Sequence, residues 1–303
     1  MIEQWMDMRY SKILLAALVA FVFAGACKSE YQTLLEGYDE EAKYAAAFDY
    51  FNQGKFSKAA QLFESLSVTT SGTERDDTIQ FYWGLSNYRY KDFYTAETNF
   101  KDFLDKFPRS PFAEEAGFLR IDCLYSSSLR YELDQSSSVQ TISAIGEYLT
   151  NYPQTQHLEA CRDILAELGD RMDRKAYEAA RLYYKMEDYL ASRIALKNVL
   201  KDDADNRYRE EILYYAAKSS YKYAQNSIPE KQKERYLTFI DDYLNFVGEY
   251  DKSVYRREMD VLYKRAQRAL GRDVGADAGD TGEKDKDFEK ERKQLLQGEK
   301  DKK

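Results

Sequence analysis

A ten-residue phrase occurs twice, 37 positions apart, and it restricts the possible folds of this chain more tightly than any other feature. Gly54-x-Phe56-x-x-Ala59-x-x-x-Phe63 returns as Lys91-x-Phe93-x-x-Ala96-x-x-x-Phe100, and upstream Ala47, Tyr50 and Phe51 correspond to Gly84, Asn87 and Tyr88. Self-similarity at a fixed period of this length marks stacked supersecondary units. Within each copy the apolar positions, Ala59, Leu62, Phe63 and Leu66, then Ala96, Phe100, Phe103, Leu104 and Phe107, fall at helical spacing. Each unit is therefore expected to be a pair of antiparallel helices. Small residues at Ala47, Gly84, Ala59 and Ala96 let the two backbones approach, and the aromatics fill the space around that contact.

Composition agrees. The 14 Gly and 4 Pro, set against 27 Tyr and 16 Phe, supply too few turn residues for a barrel or sandwich of many short strands, so an all-α fold is expected. Of 303 residues 44% are apolar and 32% charged, which excludes wholesale disorder and a polytopic membrane protein. Later copies are more degenerate. Phe103-Leu104-x-x-Phe107-Pro108 returns as Tyr148-Leu149-x-x-Tyr152-Pro153, displaced by 45 residues, so the third repeat carries an insertion, placed at Leu133 to Ser138. A fourth copy shows Ala180, Tyr183, Tyr184, Tyr189, Ser192, Leu196 and Leu200. A fifth pair spans Tyr208 to Ala224 and Pro229 to Val247, ended by Gly248, and Ser253 to Leu270 reads as a final helix. The expected body is thus a helix-hairpin solenoid of about five pairs plus a capping helix over residues 39–270. Thr73-x-x-Asp76 reads as a capping box, and Ser110-Pro111 as an N-cap with proline at the first helical position.

These repeats resemble tetratricopeptide (TPR) repeats. Pro108 stands eight residues after Phe100, where the TPR pattern closes on a proline, whereas Ser71 and Ala204 occupy that place in the first and fourth copies.

The amino terminus reads as an address. Ile13 to Ala26 is an uncharged run of 14 residues preceded by Arg9 and Lys12. A transmembrane helix needs roughly 20 residues, so the run suits the core of a secretory signal peptide, 1–26. Glu3 and Asp7 are the wrong charge for the segment before it, and a start at Met8 fits better. Ala24-Gly25-Ala26-Cys27 resembles the lipobox of bacterial lipoproteins, with Ala24 where Leu is usual. That resemblance implies acylation of Cys27, a linker over residues 27–38, and, with Lys28 rather than Asp next in sequence, sorting to the outer membrane. Several acyl chains at about 0.8 kcal/mol per buried methylene would hold a soluble domain on a bilayer. Cys123 and Cys161 remain in the mature chain, as buried thiols or as a disulfide pair. At the other end residues 271–303 hold 9 basic and 10 acidic side chains and little that is apolar, so disorder is expected there apart from a short helix at Asp287 to Leu296.

Catalysis is not expected. The formal charge of −8 argues against nucleic acid as a partner, and one histidine, His157, leaves few ligands for a metal or an acid/base pair. No glycine-rich phosphate loop, Cys-x-x-Cys or His-Glu-x-x-His is present, and no cofactor is implied. Adjacent carboxylates occur at Asp76-Asp77, Glu114-Glu115, Asp202-Asp203 and Asp241-Asp242, but helix neighbours point about 100° apart, so these read as solvated faces or helix-end charge. His157 is expected at a surface or cap position.

Repeats of this kind offer a groove lined by their first helices. By alignment to the TPR pattern its lining is Tyr44, Phe48 and Asn52 in the first repeat and Phe81, Tyr88 and Arg89 in the second. Such a set suits an extended peptide with aromatic side chains and a free carboxylate. Equally, the aromatics can serve only to pack neighbouring helices. Both readings stand on the sequence.

Lipobox and repeats together resemble the BamD family of outer-membrane β-barrel assembly lipoproteins, from about Asp39 to Leu270 and most closely over Tyr44 to Phe112, with its phrase FLDKFPRSPF. The resemblance implies a periplasm-facing protein tethered to the outer membrane. It implies docking of the carboxyl-terminal repeats on a POTRA-domain barrel protein, and receipt of unfolded barrel precursors by the amino-terminal repeats. Two other classes share the anchor and the repeats: a lipoprotein coordinating envelope or cell-wall machinery, and a surface glycan-binding lipoprotein.

Overall fold

The structure is a computed structural model and describes residues 30–272. The expected signal peptide, Cys27 and the tail beyond Arg272 lie outside the described residues. Among the described residues every regular element is an α-helix: α1 (Glu30–Glu36), α2 (Glu40–Asn52), α3 (Phe56–Thr69), α4 (Asp76–Arg89), α5 (Phe93–Lys106), α6 (Ala113–Ser126), α7 (Ser136–Asn151), α8 (Leu158–Lys185), α9 (Tyr189–Asp202), α10 (Arg209–Gln225), α11 (Pro229–Glu249) and α12 (Arg256–Ala269). From α2 to α11 these form five hairpins of the TPR kind, and α12 follows as the capping helix. They fall into two compact units, one reaching Leu129 and including Ser136–Ile164, the other made of Arg130–Gln135 and the chain from Leu165 onward.

In unit 1 the repeated small residues do what their size dictates. Ala47, Ala59, Ala96, Phe63 and Phe100 are fully buried. A Cβ on Gly84 would sit 2.9 Å from the Phe100 ring, and one on Gly117 would sit 2.9 Å from Tyr148, so α4 and α6 approach their partners at distances only glycine permits. Beside Gly84 the buried Asn87 amide donates to Asn99 at 2.8 Å, which satisfies two polar groups inside the contact. The hairpin turns carry a second repeat signature. Gly54 (φ +73°) and Lys91 (φ +67°), equivalent in the two copies, both adopt the left-handed conformation, as does Glu187 (φ +63°) in the fourth hairpin. The residue after it caps the next helix where it is an aspartate: Asp92 accepts from Thr95 N–H at 3.2 Å and Asp188 from Ala191 N–H at 3.1 Å.

Several local expectations need correction. α4 starts at Asp76 rather than after Thr73; the Thr73 hydroxyl donates back to the Thr70 carbonyl, and the Asp76 carboxylate accepts from Gly72 N–H, so no capping box forms. Ser110 and Pro111 form a turn before α6, whose N-cap is Phe112, while Ser110 donates to Asp77. Ser136–Ser138 already belong to α7, which shortens the insertion loop. Gly248 lies inside α11. The linker expected over 27–38 contains α1, because Tyr31, Leu34 and Leu35 pack on the first core and the Tyr31 hydroxyl bonds to the Lys58 carbonyl at 3.0 Å and to Gln61 at 2.9 Å.

Unit 2 is organised around α10, whose Ile212, Tyr214 and Ala217 are fully buried. Tyr177 stacks on Tyr208 (5.2 Å) and Tyr184 meets Tyr215 (5.2 Å), so the unit 2 part of α8 runs in the same direction as α10. Tyr214 stacks on Tyr255 (4.1 Å), and Lys218, one turn on, pairs with Glu258 (2.6 Å), so α12 runs that way too. The α8–α9 turn, the α10–α11 turn and the end of α12 therefore share one end of unit 2. Asp242 was expected on a solvated face but is 6% exposed, held by Arg193 (2.6 Å), Lys197 (2.5 Å) and the Ser220 hydroxyl, which ties α9, α10 and α11 together. Asp76 is likewise buried, paired with Lys106 at 3.1 Å.

Candidate functional site

The six residues expected to line a groove are not brought together as one surface. Tyr44 and Phe48 touch (ring centroids 4.9 Å apart), and Phe48 also meets Tyr82 at 4.7 Å and Phe63 at 5.1 Å. Phe81 is 5% exposed and stacks on Phe112 at 4.6 Å, so it is a core residue and does not line a groove. Tyr88 is half-buried and donates to Asp122 at 2.6 Å across α4 and α6; burial, then the hydrogen bond to Asp122 and its charge, hold its hydroxyl well above the usual tyrosine range. Asn52 and Arg89 are exposed at the C-terminal ends of α2 and α4.

Around Tyr44 the structure supplies what sequence reasoning missed. The Arg75 guanidinium lies 4.8 Å above the Tyr44 ring and is held by Glu41 at 2.7 Å. Tyr44, Arg75, Glu40, Glu41, Leu66 and Thr70 are among the residues lining a hollow of about 350 Å³. The guanidinium thus covers one face of the Tyr44 ring, and three carboxylates, Glu40, Glu41 and Glu74, border the same hollow. Arg75 escaped notice because it precedes α4, outside the helix over which the TPR alignment was counted. Elsewhere in unit 1 a cleft of about 690 Å³ opens between α5 and α7, lined by Lys101, Asp105, Arg120, Glu147, Tyr148 and Tyr152 among others. Arg120 spans it, 2.9 Å from Glu97 on α5 and 3.8 Å from Glu147 on α7.

Unit 2 carries its own cation–aromatic face. Arg181 lies over the Tyr215 ring (4.8 Å), donates to the Tyr215 hydroxyl (3.1 Å) and pairs with Glu178 (3.0 Å), while its buried Nε donates to no acceptor. Lys218 donates to the Tyr214 hydroxyl at 2.8 Å and pairs with Glu258. A signal existed in the sequence, since Tyr177, Arg181 and Tyr184 share one helical face at i, i+4 and i+7. Of the fourth-copy residues, Ala180 is buried and Tyr183 exposed.

His157 holds the N-cap position of α8, its carbonyl accepting from Cys161 N–H at 3.0 Å, and its side chain is half-buried. It precedes α8 with its ring stacked on Phe118 at 3.8 Å and 3.4 Å from the Glu115 carboxylate. Cys123 and Cys161 are free, buried thiols; burial, helped by Asp122 and Glu97, pushes Cys123 up to about 12, so it is unreactive at neutral pH. Among the described residues no cluster of three or more His, Cys, Asp or Glu side chains could hold a metal ion, and no helix is long and apolar enough to cross a membrane.

Comparison with known proteins supplies the family. The model of the family described as "YfiO: Outer membrane lipoprotein" matches residues 37–237. The outer membrane protein assembly factor BamD of Caulobacter vibrioides is 24% identical over 203 residues, covering 66% of this chain and 66% of that protein, just under two thirds of its length. The putative outer membrane protein assembly factor BamD of Aquifex aeolicus is 23% identical over 87% of this chain and 92% of that protein. Among solved structures, the TPR2AB-domain:pHSP90 complex of yeast Sti1 aligns with 75% of this chain and 98% of that chain at 15% identity and a TM-score of 0.37, too low for any inference. The family match takes in α2 to α10 whole, with the first part of α11, and so includes the hollow around Tyr44, the α5–α7 cleft and the Tyr215–Arg181 face; the chain belongs to the YfiO/BamD family of outer membrane lipoproteins.

Proposed function

We propose that this protein is an outer-membrane lipoprotein of the β-barrel assembly machinery, anchored through Cys27 and facing the periplasm, whose work is to hold other chains rather than to catalyse a reaction. The observation that carries the reading is the family match over residues 37–237, joined by two relatives whose names are those of outer membrane protein assembly factors. On this reading the repeats dock on a POTRA-domain barrel protein, and unit 1 receives the carboxyl-terminal segment of an unfolded barrel precursor. In the second role a terminal carboxylate would take the place of Glu41 on Arg75, with the peptide's aromatic residue seated in the hollow beside Tyr44.

Depletion of the protein tests the whole. Levels of several unrelated outer-membrane β-barrel proteins should fall together, and a POTRA-domain protein should co-purify with the tagged chain. Unchanged barrel levels with a failure of cell-wall synthesis would transfer the protein to the envelope-coordination class. At the site, Tyr44→Ala with Arg75→Ala should weaken binding of a precursor's carboxyl-terminal peptide about tenfold while helicity is kept, consistent with loss of a charge-assisted contact. An amidated peptide should bind wild type as weakly as the free-acid peptide binds the variant.

A further inference from the structure

Four exposed apolar side chains belong to one end of unit 2. Leu182 (52% exposed) lies in the last turn of α8, Met186 (66%) just after it, Leu190 (40%) in the first turn of α9, and Ile228 (62%) in the α10–α11 turn. A soluble surface rarely leaves such a row uncovered without an occupant. Because α8, α10 and α12 run parallel, the row shares its end of the unit with Arg272, where the described chain stops just after α12.

The remaining sequence supplies an occupant of fitting chemistry. Beyond Arg272 large apolar residues are confined to Val274, Phe288, Leu295 and Leu296. Phe288, Leu295 and Leu296 stand at i, i+7 and i+8, which is one helical face. The charges between Asp287 and Leu296 cancel, with Asp287, Glu289 and Glu291 against Lys290, Arg292 and Lys293, so laying this segment on an apolar surface buries no net charge. Reach is ample. α12 and α8 are separated by α10, hence by two interaxial spacings of about 8–10 Å, roughly 20 Å in all. The residues between Arg272 and Phe288 can extend to roughly 50 Å at about 3.3 Å each.

We propose that Asp287–Leu296 docks on unit 2 against Leu182, Met186, Leu190 and Ile228 as their occupant. The covering segment is part of the same chain, and its local concentration is set by the tether rather than by the amount of protein.

Thiol labelling of the full mature chain tests this. Met186→Cys is introduced, labelled with a maleimide and read site by site by mass spectrometry, so that Cys27 does not interfere and the buried Cys123 and Cys161 serve as unreactive references. Replacing Leu295 and Leu296 by Asp in the same chain should speed labelling of the new thiol at least fivefold, while a Tyr94→Cys site in unit 1, 84% exposed in the wild type, should label at the same rate in both backgrounds. The thermal melt of the doubly substituted chain should match that of the wild type, and a lowered melting temperature with faster labelling of the Tyr94→Cys control as well would overturn the proposal in favour of unfolding. Equal rates at position 186 would overturn the proposal. Protection that depends on protein concentration would overturn it in favour of a second copy as the occupant, and protection that survives the tail substitutions would assign the row to another part of the chain.

Discussion

Units 1 and 2 use the same helix hairpin and fill it with different chemistry. Unit 1 closes its cores on phenylalanine, with Phe63, Phe100 and Phe103 almost fully buried around alanine and glycine contacts. Unit 2 buries two phenylalanines, Phe239 and Phe246, among a larger set of tyrosines: Tyr177, Tyr214, Tyr215, Tyr221, Tyr236, Tyr243 and Tyr255. A buried phenol needs a partner, and three of these find charged ones: Tyr214 donates to Glu258 at 2.7 Å, Tyr243 to Asp260 at 2.6 Å, and Tyr215 accepts from Arg181. One solution specifies the packed state by shape, the other by directed polar contacts. The first should be sensitive to volume and the second to charge.

The sharpest test of that contrast is Asp242→Ala. It leaves Arg193 and Lys197 without their shared carboxylate inside the α9–α11 contact and should destabilise unit 2 by about 3–5 kcal/mol. Hydrogen exchange followed helix by helix should show the loss in α9–α11, with α2–α5 unchanged; a uniform loss would mean the units are not separate in stability. Next is Gly84→Ala, a single added methyl. Its Cβ would fall within 3.1 Å of two Phe100 ring atoms, and about 1–3 kcal/mol of stability should be lost from unit 1 alone. A melt indistinguishable from wild type would show that Phe100 can move aside.

Acid should act on the same contrast from the solvent side. Burial pushes the Asp242 carboxyl up, but hydrogen bonds from Arg193, Lys197 and Ser220 outweigh it, and its pKa lies below the ordinary carboxylate value. A depressed pKa contributes stability that is present above the unfolded value of about 3.9 and is lost as pH falls through the lower folded value. Unit 2 should therefore hold its stability from neutral pH to about 4 and lose it below, and Asp242→Asn should flatten that part of the profile. Asp76 is shifted the same way, burial again opposing the bonds from Gly72, Lys106 and Gln80, so unit 1 should show the effect too, and Asp76→Asn should remove it there. The smallest expected change is a gain. Lys91 holds a left-handed backbone that Gly54 occupies at the equivalent turn, so Lys91→Gly should add up to about 1 kcal/mol, detectable as a rise in melting temperature of unit 1.

The hairpin architecture was legible because it depends on periodicity and residue size, which a sequence displays directly. Ala59, Ala96 and Gly84 announced the close contacts, and the aromatic spacing announced the buried stripes. The caps misled. Thr73 and Ser110 have the right side chains, but both hydroxyls donate elsewhere, and the helices begin two or three residues later. The groove was only partly legible for a related reason. Counting positions along a helix gives the face, but whether Phe81 points at solvent or at Phe112 depends on the next hairpin's loop, which the spacing does not encode. Arg75 and Asp242 were out of reach because their roles depend on helices that meet only in three dimensions.

Helix α1 changes the mechanics of attachment. With Tyr31 fastened to the Lys58 carbonyl and Gln61, α1 begins at Glu30, three positions after Cys27, a distance that chain geometry limits to about 10 Å. On the proposed anchoring, a lipid on Cys27 would hold the start of unit 1 within a headgroup's thickness of the bilayer, so the first hairpin would meet the membrane surface before any later one.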